Sequence, residues 1–348
     1  MTARLDTPVG SITAPPGTPT VSLVIPVRDE ERFVEACLES VLAQDYPADR
    51  LEIVLVDGRS TDRTRELAAA VLADRIAEGR AQIVDNPLGI APTAMNLGIE
   101  ASTGEVVVRA DGHTALPPDY VSRSVRVLQE TGAQCVGGAI RTLGTGPVGR
   151  AIAAAQSSRF GVGGVAFRTG RPTAGPVDTV PFGAWPREVF SRIGGFDPEL
   201  VRNQDDELNF RLLQAGGTVW YDPGIRTDYF ATPSLRRFWR QYHQYGEYKI
   251  RVAQKRGGFA SPRHVVPAAF VVATAASLLV AVARRDPRWA LAVLGPYAVA
   301  NGAASVAVAR RTGADPTRVA AAFAVLHTSY GTGFLKGLWR WRRRDRRR

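Results

Sequence analysis

Asp111 and His113 stand two residues apart, with Gly112 between them, at the end of the apolar run Val106-Val107-Val108. A carboxylate oxygen and an imidazole nitrogen at that spacing can turn toward one cation. Such a donor pair suits Mn²⁺ or Mg²⁺ better than the metals that thiolates select. A strand that simply ends in an Asp-Gly turn accounts for the same residues. Two more acidic clusters close earlier apolar runs: Arg28-Asp29-Glu30 follows residues 21–27, and Asp57 follows residues 51–56. No Gly-x-Gly-x-x-Gly follows the first of these runs, and no Gly-Lys-Ser/Thr occurs. The usual dinucleotide and P-loop cradles are therefore absent. A carboxylate can accept hydrogen bonds from a base N–H and from ribose hydroxyls, but it repels a phosphate unless a cation bridges the two. An acidic rim with a cation points to a nucleoside diphosphate held through a divalent ion. A fourth acidic group, Asn203-Gln204-Asp205-Asp206-Glu207-Leu208, opens a helical stretch. The helix dipole favours acids in a first turn by ~0.3–1 kcal/mol each, so these three have a purely structural explanation as well.

The elements that carry these residues alternate. Apolar β-branched runs at 21–27, 51–56, 82–84 and 105–109 read as buried strands. Amphipathic stretches at 29–44, 63–78, 92–102 and 118–130 read as helices between them. That order predicts an α/β domain with a mostly parallel sheet. Ligands of such a sheet bind beyond the carboxyl ends of its strands, so the first three acidic clusters share one edge. A strand over 134–140 and a helix near 148–158 are expected next, followed by a glycine-rich segment that is either a lid or a disordered insertion. Strands over 179–184, 218–221 and 226–230, helices over 186–193 and 205–215, and a long basic, aromatic helix over 235–256 complete the first part. Residues 1–19, rich in Pro, Thr and Gly, read as a disordered lead-in without the apolar core of a signal peptide.

Cys37 and Cys135 sit inside apolar runs and read as small buried hydrophobes, which fits a reducing compartment. Of the net charge of +11, residues 340–348 supply +6 and leave +5 for everything else. Basic residues so placed beside apolar segments fit anionic lipid headgroups better than nucleic acid. Residues 265–283 and 289–309 hold no charged residue and are long enough to span a bilayer. The polar turn between them makes a transmembrane helical hairpin, with two buried core helices as the alternative. Residues 319–339 could form a third span or an interfacial helix. The domain reading is a lead-in over 1–19, a catalytic domain over 20–258, a membrane region over 259–339 and a basic tail over 340–348. The positive-inside rule places the tail in the cytoplasm, together with the cysteine-bearing domain, at the inner (plasma) membrane.

Val24-Ile25-Pro26-Val27-Arg28-Asp29-Glu30, Val56-Asp57-Gly58-Arg59-Ser60-Thr61-Asp62-Arg63-Thr64, Asp111-Gly112-His113, Gly194-Gly195-Phe196-Asp197 and Gln204-Asp205-Asp206-Glu207-Leu208 resemble the ordered motifs of family 2 glycosyltransferases. The resemblance covers residues 20–255 and, with the hairpin that follows, is strongest to membrane-attached exopolysaccharide enzymes of the succinoglycan type. It implies a GT-A fold, a Rossmann-like mostly parallel sheet with helices on both faces. It implies that Pro26, Arg28, Glu30, Asp57 and Asp111 line the pocket of a nucleotide-sugar donor, with uracil as the base read by Asp57. Asp111 and His113 take the place of the family's Asp-x-Asp motif and would hold Mn²⁺ or Mg²⁺. Asp205 takes the place of the catalytic base, with Gln204 where the family has Glu. Trp185 and Asp206 are expected acceptor contacts, although a core tryptophan and a helix-start acid explain them too. The implied reaction is an inverting transfer of one sugar from a UDP-sugar to a hydroxyl of a lipid-linked glycan, with no role in binding nucleic acid. Transfer to polyprenyl phosphate is the alternative within the class. A catalytically idle nucleotide-sugar-binding scaffold is the alternative from another class.

Overall fold

A computed structural model describes residues 8–259 and 261–345. The chain divides into two compact units. The first comprises the residues up to Arg141 together with Gly170–Tyr229, and the second comprises Thr142–Thr169 together with Phe230–Arg348.

The strands are β1 (Val21–Val27), β2 (Leu51–Asp57), β3 (Ala81–Asp85), β4 (Val106–Arg109), β5 (Thr114–Ala115), β6 (Cys135–Gly144), β7 (Gly175–Pro176), β8 (Ala184–Pro186) and β9 (Val219–Ala231). In the first unit the helices are α1 (Val34–Leu42), α2 (Thr64–Val71), α3 (Ala73–Ala77), α4 (Ala91–Ala101) and α5 (Tyr120–Thr131). After α6 (Gly146–Gln156), α7 (Arg159–Val162) and α8 (Ala166–Thr169) of the second unit, the first unit resumes with α9 (Glu188–Ile193) and α10 (Gln204–Gln214).

The strands form one sheet in the order β3-β2-β1-β4-β8-β6-β9-β5, with β7 on β9. The first four pair in parallel, with Val27 beside Asp57 and Val24 beside Arg109. β8 pairs antiparallel with β4 and β6, and β9 pairs antiparallel with β5 and β7. Alternation along β1 and β2 explains why both faces are apolar. Leu23, Ile25, Ile53 and Leu55 pack with Cys37, Leu38 and Val41 of α1 and Val121 and Leu128 of α5. Val24 and Val56 face α4, where a Cβ on Gly98 would stand 2.3 Å from Val24 Cγ1. The helix can lie that close to the sheet only because position 98 has no side chain.

Several expectations change. Residues 8–19 of the expected lead-in are packed: Val9, Ile12 and Ala14 are buried, and the Gln134 amide donates to Ile12 O at 2.6 Å. Residues 1–7 lie outside the described residues. Phe182 has φ 49° and turns the chain sharply, so the strand expected over 179–184 is confined to β8. The two strands expected over 218–230 are one strand, β9, which carries Asp222-Pro223-Gly224 inside it, with Gly224 N donating to Asp222 Oδ1 at 2.6 Å. The glycine-rich segment expected as a lid or insertion carries two short helices, α7 and α8, and the helix expected near 148–158 is α6. Its alanine face, Ala151 to Ala155 around Ile152, joins Val319, Ala322 and Phe323 in the core of the second unit.

That unit also contains α11 (Leu235–Arg256), α12 (Val266–Arg284), α13 (Arg288–Thr312) and α14 (Pro316–Asp345). α11 starts at Ser234, whose Oγ accepts from Arg237 N, and ends at Gly257 with φ 71°. Two helices, Pro262–Arg284 and Arg288–Thr312, are long and apolar enough to cross a membrane. They leave large apolar side chains such as Leu279, Val282 and Val299 more than 70% exposed. α11 and α14 run side by side in the same direction. A Cβ on Gly333 would stand 1.9 Å from His243 O, and one on Gly246 2.1 Å from Tyr330 O. Glu247, buried on α11, pairs with Lys336 at 2.9 Å and with Arg340 of α14. The expected basic tail thus begins as helix, with Trp341 buried and its indole N–H donating to Glu247 O. Residues 346–348 lie outside the described residues.

Candidate active site

All the candidate residues fall in the first unit. Two loops after β1 and β2 lock each other. Asp29 N donates to Ser60 Oγ at 3.0 Å, and Asp29 Oδ1 accepts from Thr61 N at 2.8 Å. Glu30 N donates to Thr64 Oγ1 at 2.7 Å, and Glu31 N donates to Asp62. Asp62 Oδ1 in turn accepts from Thr64 N, the first residue of α2, at 3.0 Å. The motif residues around 28–31 and 57–64 therefore hold one backbone shape jointly. Asp57 is buried at the end of β2, where its Oδ1 accepts from Ser60 Oγ at 2.6 Å and its Oδ2 lies 3.6 Å from Arg65. Pro26 pairs with Val56 and is partly exposed. Arg28 crosses to Gly89 O at 3.0 Å and stays half exposed.

β4 delivers the centre. Arg109 is 3% exposed within its buried valine run. Its Nε donates to Asp111 Oδ1 at 2.9 Å, its Nη2 to Asp111 Oδ2 at 3.3 Å and its Nη1 to Asp205 Oδ1 at 2.7 Å. Burial works against the guanidinium, but Asp111 and Asp205 outweigh it and hold the proton more tightly than in water. Burial raises the Asp205 carboxyl above the usual aspartate range, with Arg109 opposing. Glu30, expected at the nucleotide, has its Oε1 2.9 Å from His113 Nδ1. Burial disfavours the charged imidazole, yet Glu30 and Asp111 together more than compensate and the net shift of His113 is upward. The edge of Tyr229 packs on the same ring at 5.1 Å between centroids.

Asp205 enters from the first turn of α10, whose position is set by its neighbours. Glu207 is buried and takes two bonds from Arg211, which also donates to Gly195 O at 2.7 Å. Asn96 grips the same loop through Phe196 N and Phe196 O, both at 2.7 Å. Glu207 is thus a structural acid, whereas Asp206 stays partly exposed beside Asp205. Four non-glycine residues with left-handed backbone flank the site: Asp29, Arg59, Phe182 and Asn203. Such strain persists where surrounding contacts impose it, and it concentrates at functional sites.

One expected residue is corrected. Trp185 is fully buried, edge-on to Phe190 and Phe196 at 5.6 and 6.0 Å, and offers no face to an acceptor sugar. One residue was missed: Arg109, read only as part of the strand. An arginine inside an apolar run was the available signal, because a buried guanidinium requires carboxylate partners.

Asp111 and His113 suit a divalent ion of limited protein coordination. Arg109 takes two of about four lone-pair positions on Asp111, and a neutral His113 that donated from Nδ1 to Glu30 would have Nε2 available as a ligand. Among the described residues no three His, Cys, Asp or Glu side chains cluster as a metal cage. Diphosphate and water oxygens would complete such a shell, the usual arrangement for Mg²⁺-type sites.

The glycosyl transferase family 2 model matches residues 22–163. The succinoglycan biosynthesis protein ExoA of Rhizobium meliloti is 31% identical over 342 residues, covering 94% of this chain and 98% of that protein. The chain belongs to glycosyltransferase family 2. A glucuronosyltransferase of Methanococcus voltae, named for a dolichyl N-acetyl-α-D-glucosaminyl phosphate, is 26% identical over 68% of this chain and 74% of its own length. The mannosyltransferase PcManGT of Pyrobaculum calidifontis, solved with GDP-Man and Mn²⁺, superposes with a TM-score of 0.60 at 21% identity, over 96% of this chain and 91% of that one. This family 2 glycosyltransferase therefore shares the GT-A fold of that neighbour, and its candidate residues Asp57 and Asp111 lie at the carboxyl ends of β2 and β4.

Proposed function

We propose that this family 2 enzyme transfers a single sugar, with inversion, from a UDP-sugar to a hydroxyl of a lipid-linked glycan during polysaccharide assembly. The observation that carries the reading is the joint placement of Asp205 and Asp111 on one buried guanidinium. It supports the reading because one side chain joins the residue proposed as base to the residue proposed at the diphosphate. The ExoA relative, whose name assigns it to succinoglycan biosynthesis, supports polysaccharide assembly. The Methanococcus relative, named for a dolichyl-linked sugar phosphate, supports a lipid-linked acceptor.

In this reading Asp57 reads the base, while Pro26 and Arg28 border the nucleoside. Asp111 and His113 hold Mn²⁺ or Mg²⁺, with Glu30 orienting His113, and Asp206 contacts the acceptor. Asp205 takes the proton of the acceptor hydroxyl as its oxygen forms a bond to the anomeric carbon. The bond from that carbon to the diphosphate breaks, and UDP leaves with the electron pair. A base so placed is worth about 10²–10⁴-fold in rate. A bound divalent ion supplies charge neutralisation to the leaving diphosphate. Burial raises the affinity of Asp205 for a proton, which suits a base. The hairpin α12–α13 anchors the chain in the inner membrane, with the catalytic unit on the cytoplasmic side, where nucleotide sugars are made.

Titration of UDP, GDP and CDP into detergent-solubilised protein, with and without Mn²⁺, tests the donor class. UDP should bind selectively and more tightly with Mn²⁺. Asp205→Asn should keep that binding and lose transfer by at least 100-fold. Absence of diphosphate binding, or full activity in Asp205→Asn, overturns the reading.

A further inference from the structure

We propose that Arg109 is the positioning residue that fixes the catalytic base relative to the donor site, by holding Asp205 with one edge of its guanidinium and Asp111 with the other. The inference rests on the role given to Asp205 above. Arg109 ends β4, and its own N–H donates to Gly183 O at 3.0 Å. Its guanidinium carbon lies 5.7 Å from the centre of the Phe182 ring. The head group therefore has little freedom. A buried cation needs one carboxylate for neutrality, but here two converge, one of them 96 residues from Arg109 in sequence. The planar fork explains how: Nε and Nη2 form one edge and Nη1 belongs to another, so a single rigid group sets the distance between two acids. Lysine, a point charge on a flexible stem, cannot do this.

The consequence for Asp205 is specific. Oδ1 is held by Arg109, and Oδ2 has no hydrogen-bond partner among the described residues. The side chain is 21% exposed. One oxygen is thus fixed and the other is left to accept the proton. Without Arg109 the carboxylate can rotate and its distance from the leaving diphosphate is no longer set. Asp205 would still be present, and the loops at 28–31 and 57–64, which hold each other without Arg109, would keep their shape, while Asp111 would lose the same support as Asp205.

The test uses full-length enzyme in detergent, UDP with and without Mn²⁺ as the binding probe, and a synthetic polyprenyl-diphosphate-linked sugar as acceptor with a panel of labelled UDP-sugars. Arg109→Lys, Asp205→Asn and the double variant are compared with wild type, together with Arg109→Gln. Arg109→Lys should lower kcat by 30-fold or more, with UDP affinity measured without Mn²⁺ within about threefold of wild type. The double variant should be no slower than Asp205→Asn alone, because residues that act as one unit do not add. Arg109→Gln, which keeps two donors in a planar amide, should fall between wild type and Asp205→Asn if it folds, and thermal unfolding reports whether it does. A loss in Arg109→Lys below fivefold, or losses that multiply in the double variant, overturns the inference and leaves Asp205 as base. Wild-type activity that survives Asp205→Asn overturns both the base assignment and the positioning role.

Discussion

Glu30 Oε1 lies 2.9 Å from His113 Nδ1, so the motif after β1 reaches the motif after β4 through one hydrogen bond. A carboxylate behind a metal-binding histidine fixes which ring nitrogen is left for the ion. Glu30→Gln should weaken Mn²⁺ binding by about 10–100-fold. Metal-free UDP affinity should change little. Mn²⁺ titration followed by electron paramagnetic resonance measures both, and an unchanged Mn²⁺ affinity would take Glu30 out of this role.

Asp57 is anchored by Ser60 and faces Arg65 with its second oxygen. Hydrogen bonds to a charged group are worth ~1.5–3 kcal/mol. Asp57→Ala should therefore cost roughly 10–100-fold in UDP affinity. Ser60→Ala should cost less, since it only loosens the carboxylate. Calorimetric titration of UDP distinguishes the two, and equal affinity in Asp57→Ala and wild type would exclude Asp57 from the nucleoside pocket.

Glu247 is buried and opposed by Lys336 and Arg340. Burial alone would raise its pKa, but the two cations outweigh it and the net shift is downward from 4.5. A depressed carboxylate stabilises the fold above its unfolded pKa, and that stability is lost as pH falls through the folded value. The contribution of Glu247 is thus complete at neutral pH and decays below about pH 4.5. Glu247→Gln should lower the unfolding midpoint at pH 7, and the gap from wild type should shrink at pH 3.5. A pH-independent gap would show that shape, not charge, matters at this position.

Gly333 lets α14 touch the backbone of α11 at His243. Gly333→Val should destabilise the second unit by about 1–3 kcal/mol or more, the usual cost of forcing atoms into a packed contact. Gly302 on α13 meets nothing within 4 Å, so Gly302→Val is the control. Thermal unfolding in detergent compares them, and equal midpoints would mean that the two helices can separate without loss.

The strands that carry the site were legible because β-branched runs with both faces buried have few other interpretations, as at Val106-Val107-Val108. The helix Leu235–Arg256 was readable to the residue because Ser234 and Gly257 mark its ends. Asp57, Asp111 and Asp205 could be proposed from type and order. Their mutual arrangement could not, because Arg109 and Asp205 are joined only by folding. Phe182 shows the same limit: nothing in its type announces a left-handed backbone, which its surroundings impose. Trp185 misled because a tryptophan near a turn is equally suited to stack on sugar or to fill a core. The helix near 148–158 was legible, but glycine spacing does not reveal that its Ala151 to Ala155 have a partner nearly 170 residues further on.

That last pairing bears on how such an enzyme can be cut or recombined. Ending the chain after α11, to shed the apolar hairpin, would strip the alanine face of α6 of Val319, Ala322 and Phe323. The fragment would carry a newly bared greasy stripe in the middle of its sequence. Exchange of the membrane part between two relatives faces the same constraint, and a functional chimera has to inherit residues 142–169 from the same parent as α14.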